Sequence, residues 1–199
     1  MMSQNGIKKS NRIFLDTEFI EDGTTIEPLS LALLTESGDC LYIVVTDTDR
    51  SKANQFVIDH VIPHLDTDPS VIIREDKLTY LRLQRSEVGS AVLSWVQSVI
   101  PSGIPEFWAY YGAYDWVLFC QLFGNMTDLP HEWPRYINDL KQHVTQLQVQ
   151  LVKVNLGGLP EHHAVADAVI EMVQFQNLTH TFNEHYTKAL GVEQRKETK

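Results

Sequence analysis

One α/β domain built on a mixed sheet is what this sequence predicts, and three observations predict it. Three apolar runs, at residues 12–19, 27–35 and 40–47, are separated by the turn-forming stretches "EDG" and "ESGD", the pattern of an antiparallel meander. Residues 86–99 then repeat apolar side chains at helical spacing. Beyond them strand-like and helix-like stretches alternate, which suggests helices packed on one mixed sheet. The residues alone leave α/β and α+β both open.

Each element has its own signal. "RIFLDTEF" is the first strand, and the runs at 27–35 and 40–47 complete the meander. "NQFVIDHVIPHL" predicts a helix stopped near Pro63, because proline has no amide to donate within a helix. In "SEVGSAVLSWVQSV", Val88, Val92, Trp95, Val96 and Val99 fall on one helical face. "EFWAYY" is a short strand, and "AYDWVLFCQLFG" an apolar helix with Gly124 as its C-terminal cap. "RYINDLKQHVTQLQVQL" combines a short strand and a helix; residues 159–190 read as almost entirely helical.

At 199 residues the chain is expected to be a single domain, 1–199, with polar flexible ends at about 1–10 and 191–199. The two cysteines, Cys40 and Cys120, suggest neither a disulfide framework nor a thiolate zinc site. The first twelve residues carry no apolar signal core, and no apolar run is long enough to span a bilayer. A cytoplasmic protein is therefore expected. The net charge of −10 argues against coating nucleic acid through a broad basic face. It leaves room for an enzyme that grips a few nucleotides through bound cations.

Three stretches carry chemistry. In "FLDTEF", period-two alternation puts Asp16 and Glu18 on the same side of an otherwise apolar strand. Repulsion and desolvation make that pair costly unless a cation sits against it. In "YYGAYDWVLF", Asp115 opens an apolar helix, where favouring the helix dipole is the plainer explanation. In "HHAVADAVIEM", His163 and Asp167 are four apart on one helical face, while His162 lies about 140° around the axis from Asp167. Singly, these polar residues read as ordinary solvated positions. Together, three separated acidic sites and a histidine, in this order on an α/β chain, are a combination that chance seldom produces.

These same strings resemble the three exonuclease motifs of the DEDD superfamily, in its histidine-containing branch. The third motif of that branch is a histidine, four residues and an aspartate, usually followed by alanine; His162, Asp167 and Ala168 fit it. More specifically, "DTEFIEDG", "WAYYGAYDWVLFCQLFGNMTDLP" and "HHAVADA" resemble the ribonuclease AS-like 3′–5′ exoribonucleases, over about residues 12–176. Many superfamily members have Asn and Phe where this chain has Tyr111 and Tyr114. The ribonuclease AS-like family carries a "GAYD" string, so that departure favours it.

The resemblance implies a ribonuclease H-like fold with a five-stranded mixed sheet flanked by helices. It implies that Asp16, Glu18, Asp115 and Asp167 hold two Mg²⁺ or Mn²⁺ ions, and that His162 is the general base. The expected reaction releases nucleoside 5′-monophosphates from single-stranded RNA 3′ ends, with adenosine-rich ends favoured and a homodimer as the working form. A 3′–5′ exodeoxyribonuclease and a catalytically idle nucleic-acid-binding module on the same fold are the alternatives, and a structural or partner-binding protein stands behind both. Five intact site residues argue against the last two. Phe19 and Thr17 are candidate substrate contacts, Phe19 through base stacking. Trp108, Tyr110 and Trp116 read as core, and His163 as a solvent-facing neighbour ahead of a supporting contact to Asp167. The basic stretch "TYLRLQR" at 79–85, Arg74 and Arg135 are candidate phosphate contacts against an ordinary surface role.

Overall fold

The computed structural model describes residues 10–189, with side chains to residue 180. A six-stranded sheet has the order β4-β3-β2-β1-β5-β6. Strands β1 (Arg12–Glu21), β2 (Ile26–Thr35) and β3 (Cys40–Val45) form the predicted antiparallel meander. Strand β4 (Leu78–Leu83) runs parallel to β3, while β5 (Glu106–Ala109) runs parallel to β1 and β6 (Asn138–Asp139) parallel to β5. The architecture is α/β, compatible with a ribonuclease H-like sheet.

The sixth strand is β4, which was expected only as a basic stretch. Thr79 and Arg82 interrupt its apolar pattern because it is a half-buried edge strand. Tyr80 in it packs on the ring of Tyr42 at 5.2 Å between centroids. The cations of the 79–85 stretch are engaged: Arg82 of β4 pairs with Asp66, and Arg85, just beyond the strand, with Glu27 at 2.6 Å. Arg74 pairs with Asp76, and the Arg135 guanidinium donates to the carbonyls of Leu129, Pro130 and Trp133.

Five α-helices flank the sheet: α1 (Gln55–His60), α2 (Arg85–Val99), α3 (Ala113–Gln121), α4 (Leu140–Leu147) and α5 (Ala164–Ala189). The helix expected over 54–65 is α1, capped by the Asn54 side chain, followed by a separate 3₁₀ turn at Ile62–His64 that contains Pro63. Gly124, expected as the cap of α3, lies beyond it: the cap is Leu122 in a right-handed helical conformation, and Gly124 follows two residues later with a φ of 117°.

Both faces of the sheet are covered. On one, Ile13, Leu15, Leu33 and Phe107 pack under α2 and α3 through Val92, Trp95, Trp116 and Phe119. On the other, Phe14, Leu34, Tyr42 and Trp108 pack under α5 through Ala164, Ala168, Phe175 and Leu178. Trp108 and Trp116 are core residues, as expected. Helix α5 begins at Ala164 rather than near residue 159; Pro160 precedes it and His162 has a φ of 61°. No helix among the described residues is long and apolar enough to cross a membrane. The tail at 191–199 lies outside the described residues.

Candidate active site

Strand β1 divides its side chains between two partners. Phe14 faces α5 and Leu15 faces α2 and α3, so alternation sends Asp16 and Glu18 toward α5 and Thr17 the other way. Thr17 is buried there, and both its amide and its hydroxyl donate to Asp115 Oδ1, at 3.0 and 2.6 Å. Thr17 thus holds Asp115, in the first turn of α3, rather than facing the cleft. A β-bulge between Glu18 and Phe19 breaks the register with β2. Phe19 then stacks on Tyr114, with centroids 5.8 Å apart and rings within 5° of parallel.

The third segment closes over the face of β1 that carries Asp16 and Glu18. One ligand-capable atom each from Glu18, His162 and Asp167 lie within 4.8 Å of one another. Asp16, His162, Asp167 and Glu171 line one cleft of about 490 Å³ together with Tyr110, Tyr111 and Gln174. A second cleft of about 500 Å³, between Asn11 and residues 99–104, is lined by no titratable side chain.

The two adjacent histidines have opposite surroundings. His162 lies outside the helix in a left-handed conformation, its ring edge-on to Phe56 of α1 at 5.0 Å. Because it is not helical, the 140° offset expected from helix geometry does not apply, and it reaches Glu18 and Asp167. His163 was expected to face solvent, and that expectation is corrected: it is 1% exposed. Its ring packs on Tyr42 at 4.7 Å, and its Nδ1 accepts from the Val165 amide at 3.2 Å. Nε2 must then carry the proton, and it donates to the Thr67 carbonyl at 3.3 Å. Burial lowers its pKa, so it is a neutral cap at the start of α5.

The carboxylates repel one another. Burial pushes Asp16 well above the ordinary carboxylate range, and Asp115, Asp167, Glu171 and Glu18 push it further. Glu18 rises to about 8, through burial and then Asp167 and Asp115. Asp167 rises to about 6 through burial, although His162 opposes the shift. Asp115 is raised by burial against the two Thr17 hydrogen bonds. Such a cluster can bind a metal ion.

No model of a known protein family matches the chain. Two curated proteins from two strains of Mycobacterium tuberculosis do match; each is named a 3′-5′ exoribonuclease. Each is 39% identical to this chain over 137 residues, spanning 66% of this chain and 72% of the relative. The chain belongs to this 3′-5′ exoribonuclease family.

Within this family member, the cleft contains more than the motif residues. Glu171, one turn after Asp167, is 4% exposed; its Oε1 accepts from the Tyr110 amide at 2.6 Å. Burial raises its pKa well above the ordinary range. Two like charges at i,i+4 on an apolar helix are costly for the same reason as Asp16 and Glu18, and that signal is present in "DAVIE". Tyr110 was expected in the core; it is part-buried and lines the cleft. Tyr111, with a φ of 59°, stands 64% exposed at the cleft edge. Beside it the Gly112 amide donates to Asp139 at 3.1 Å, where a Cβ would come within 2.7 Å of Ala109 Cβ. That glycine lets the chain turn tightly from β5 into α3 and so places Asp115.

Proposed function

We propose that this chain is a cation-dependent 3′–5′ exoribonuclease of the histidine-containing DEDD branch, acting as one exonuclease domain. The observation that carries the reading is the meeting of Asp16, Glu18, Asp115, His162 and Asp167, from three distant chain segments, around the interior strand β1. These residues fit divalent cations: hard carboxylate oxygens suit Mg²⁺ or Mn²⁺, and the charges acting most on Asp16 are all negative. Asp16, Glu18, Asp115 and Asp167 would hold two such ions. When bound, the ions stabilise charge on the attacking and leaving oxygens of an in-line displacement.

The chain's own residues do the rest. His162 takes the proton from the attacking water. Water oxygen bonds to the terminal phosphorus as the bond to the preceding 3′ oxygen breaks. A nucleoside 5′-monophosphate leaves, and the shortened strand recovers a 3′ hydroxyl by protonation. Thr17 fixes Asp115, and Phe56 limits the swing of the His162 ring. The Phe19–Tyr114 pair offers an aromatic surface to the terminal base. A net charge of −10 supports a short grip on the strand end over a long basic track. RNA as substrate is supported by the relatives' names. The adenosine preference and the homodimer rest on the family resemblance, and cytoplasmic residence on the two isolated cysteines.

The test uses 5′-labelled RNA and DNA oligomers with defined 3′ ends in Mg²⁺, Mn²⁺ or chelator. The expected outcome is stepwise shortening of RNA from the 3′ end, abolished by chelator and blocked by a 3′-phosphate. Cutting of a circular substrate would overturn the assignment, and faster DNA digestion would replace RNA by DNA.

A further inference from the structure

The motif assigns four carboxylates to the cation site, yet a fifth faces the same cleft. Glu171 sits one turn along α5 from Asp167, and both line the cleft with Asp16. One of its oxygens is committed: Oε1 accepts from the Tyr110 amide at 2.6 Å. The other is buried and has no hydrogen-bond partner. A buried carboxylate oxygen left without a partner is costly, so a group that satisfies it is needed.

The neighbours narrow the choice of group. The charges acting on Glu171 are the carboxylates of Asp115, Asp167 and Asp139, none of which would donate to it when ionised. The Tyr110 amide is the donor already in use. Asp16 and Asp167 line the same cleft, and a dication that they held would supply the missing positive charge and, through its water, a donor.

We propose that Glu171 is a fifth carboxylate of the cation centre, its free oxygen satisfied by the bound ion or that ion's water while its other oxygen anchors the Tyr110–Gly112 turn. This rests on the cation-dependent reading above. It gives Glu171 a positioning role: one carboxylate joins the cation site to the turn that presents Tyr111 at the cleft edge and leads into the helix of Asp115.

Glu171→Gln isolates the charge, because the amide oxygen still accepts from Tyr110. Thermal unfolding of the wild type and the variant is followed in EDTA and across a Mn²⁺ titration, with no substrate present. The wild type is expected to show a saturable rise in Tm. Glu171→Gln is expected to melt no lower than the wild type in EDTA and to require about ten-fold or more Mn²⁺ for its half-maximal shift. Equal midpoints would overturn the inference and leave Glu171 as a brace for Tyr110. No Mn²⁺ response in the wild type would overturn both it and the cation-dependent reading. If the Gln variant does not fold, Glu171→Asp, which keeps the charge but shortens its reach, replaces it under the same criterion.

Discussion

The same strand and the same helix meet twice, and the two meetings differ in kind. At one, Phe14 of β1 packs against Phe175 of α5 at 5.6 Å, and Trp108 closes on Phe175 at 4.7 Å. A few residues away, Asp16 and Glu18 of β1 face Asp167 and Glu171 of α5. The apolar contact is complete in the protein alone, because burial and dispersion need no further partner. The acidic contact stores repulsion, which a bound cation would relieve. One element pair thus combines a region that secures the fold with one whose stability depends on solution conditions.

The sharpest way to break that contrast is at its acidic end. Asp16→Asn is expected to reduce RNA hydrolysis to background while the protein still folds, and circular dichroism with a labelled-oligomer assay checks both. His162→Ala is expected to lower kcat by about 10²–10⁴-fold with a modest change in KM. His163→Ala, one residue away, is expected to act on stability instead, costing about 1–3 kcal/mol through one buried and one part-buried hydrogen bond and lost packing on Tyr42. A dead His163→Ala that melts normally, beside an active His162→Ala, would reverse the assignment of the base.

At the apolar end, Phe175→Ala is expected to destabilise by about 3–5 kcal/mol. Urea unfolding with and without Mn²⁺ should show the same loss in each, since the cation acts elsewhere.

The two ends should also separate by pH. Burial pushes Glu18 up to about 8 and Asp167 up to about 6, both above an unfolded carboxylate. The folded state therefore holds more protons than the unfolded one across that interval, and its stability falls as pH rises. In EDTA the Tm is expected to drop by roughly 3–10 °C between pH 5 and pH 8. Saturating Mn²⁺ should remove or reverse the drop. A flat profile in EDTA would show that the acidic end is not strained. The smallest effect expected is from Tyr114→Ala, which removes the ring stacked on Phe19 and should weaken substrate binding by about 1–3 kcal/mol, read as KM.

Much of this was legible in the sequence, for identifiable reasons. Strand β1 announces itself because alternation and apolar flanks leave Asp16 and Glu18 without a structural excuse. The meander follows from two turns with glycine at Gly23 and Gly38, both with positive φ. Strand β4 stayed hidden because edge strands need only half an apolar face, so Arg82 reads as surface. The start of α5 was misplaced because helical periodicity cannot register a single left-handed residue. Periodicity favours His163 and the motif spacing favours His162; with that residue left-handed, His162 lines the cleft and His163 is buried. Glu171 was passed over because it lies in a helix whose other residues already accounted for its pattern.

The backbone at residue 162 limits what mutation can do there. With φ at 61°, His162 occupies a region that Gly adopts freely, that Asn, Asp and His visit more readily than most residues, and that β-branched residues strongly resist. Substitutions that discard the imidazole are therefore filtered a second time, by conformation. A lineage that abandoned catalysis would be expected to drift at this position toward Gly or Asn, not toward Val or Ile. The identity of the replacing residue would then distinguish relaxed selection on chemistry from relaxed selection on the fold.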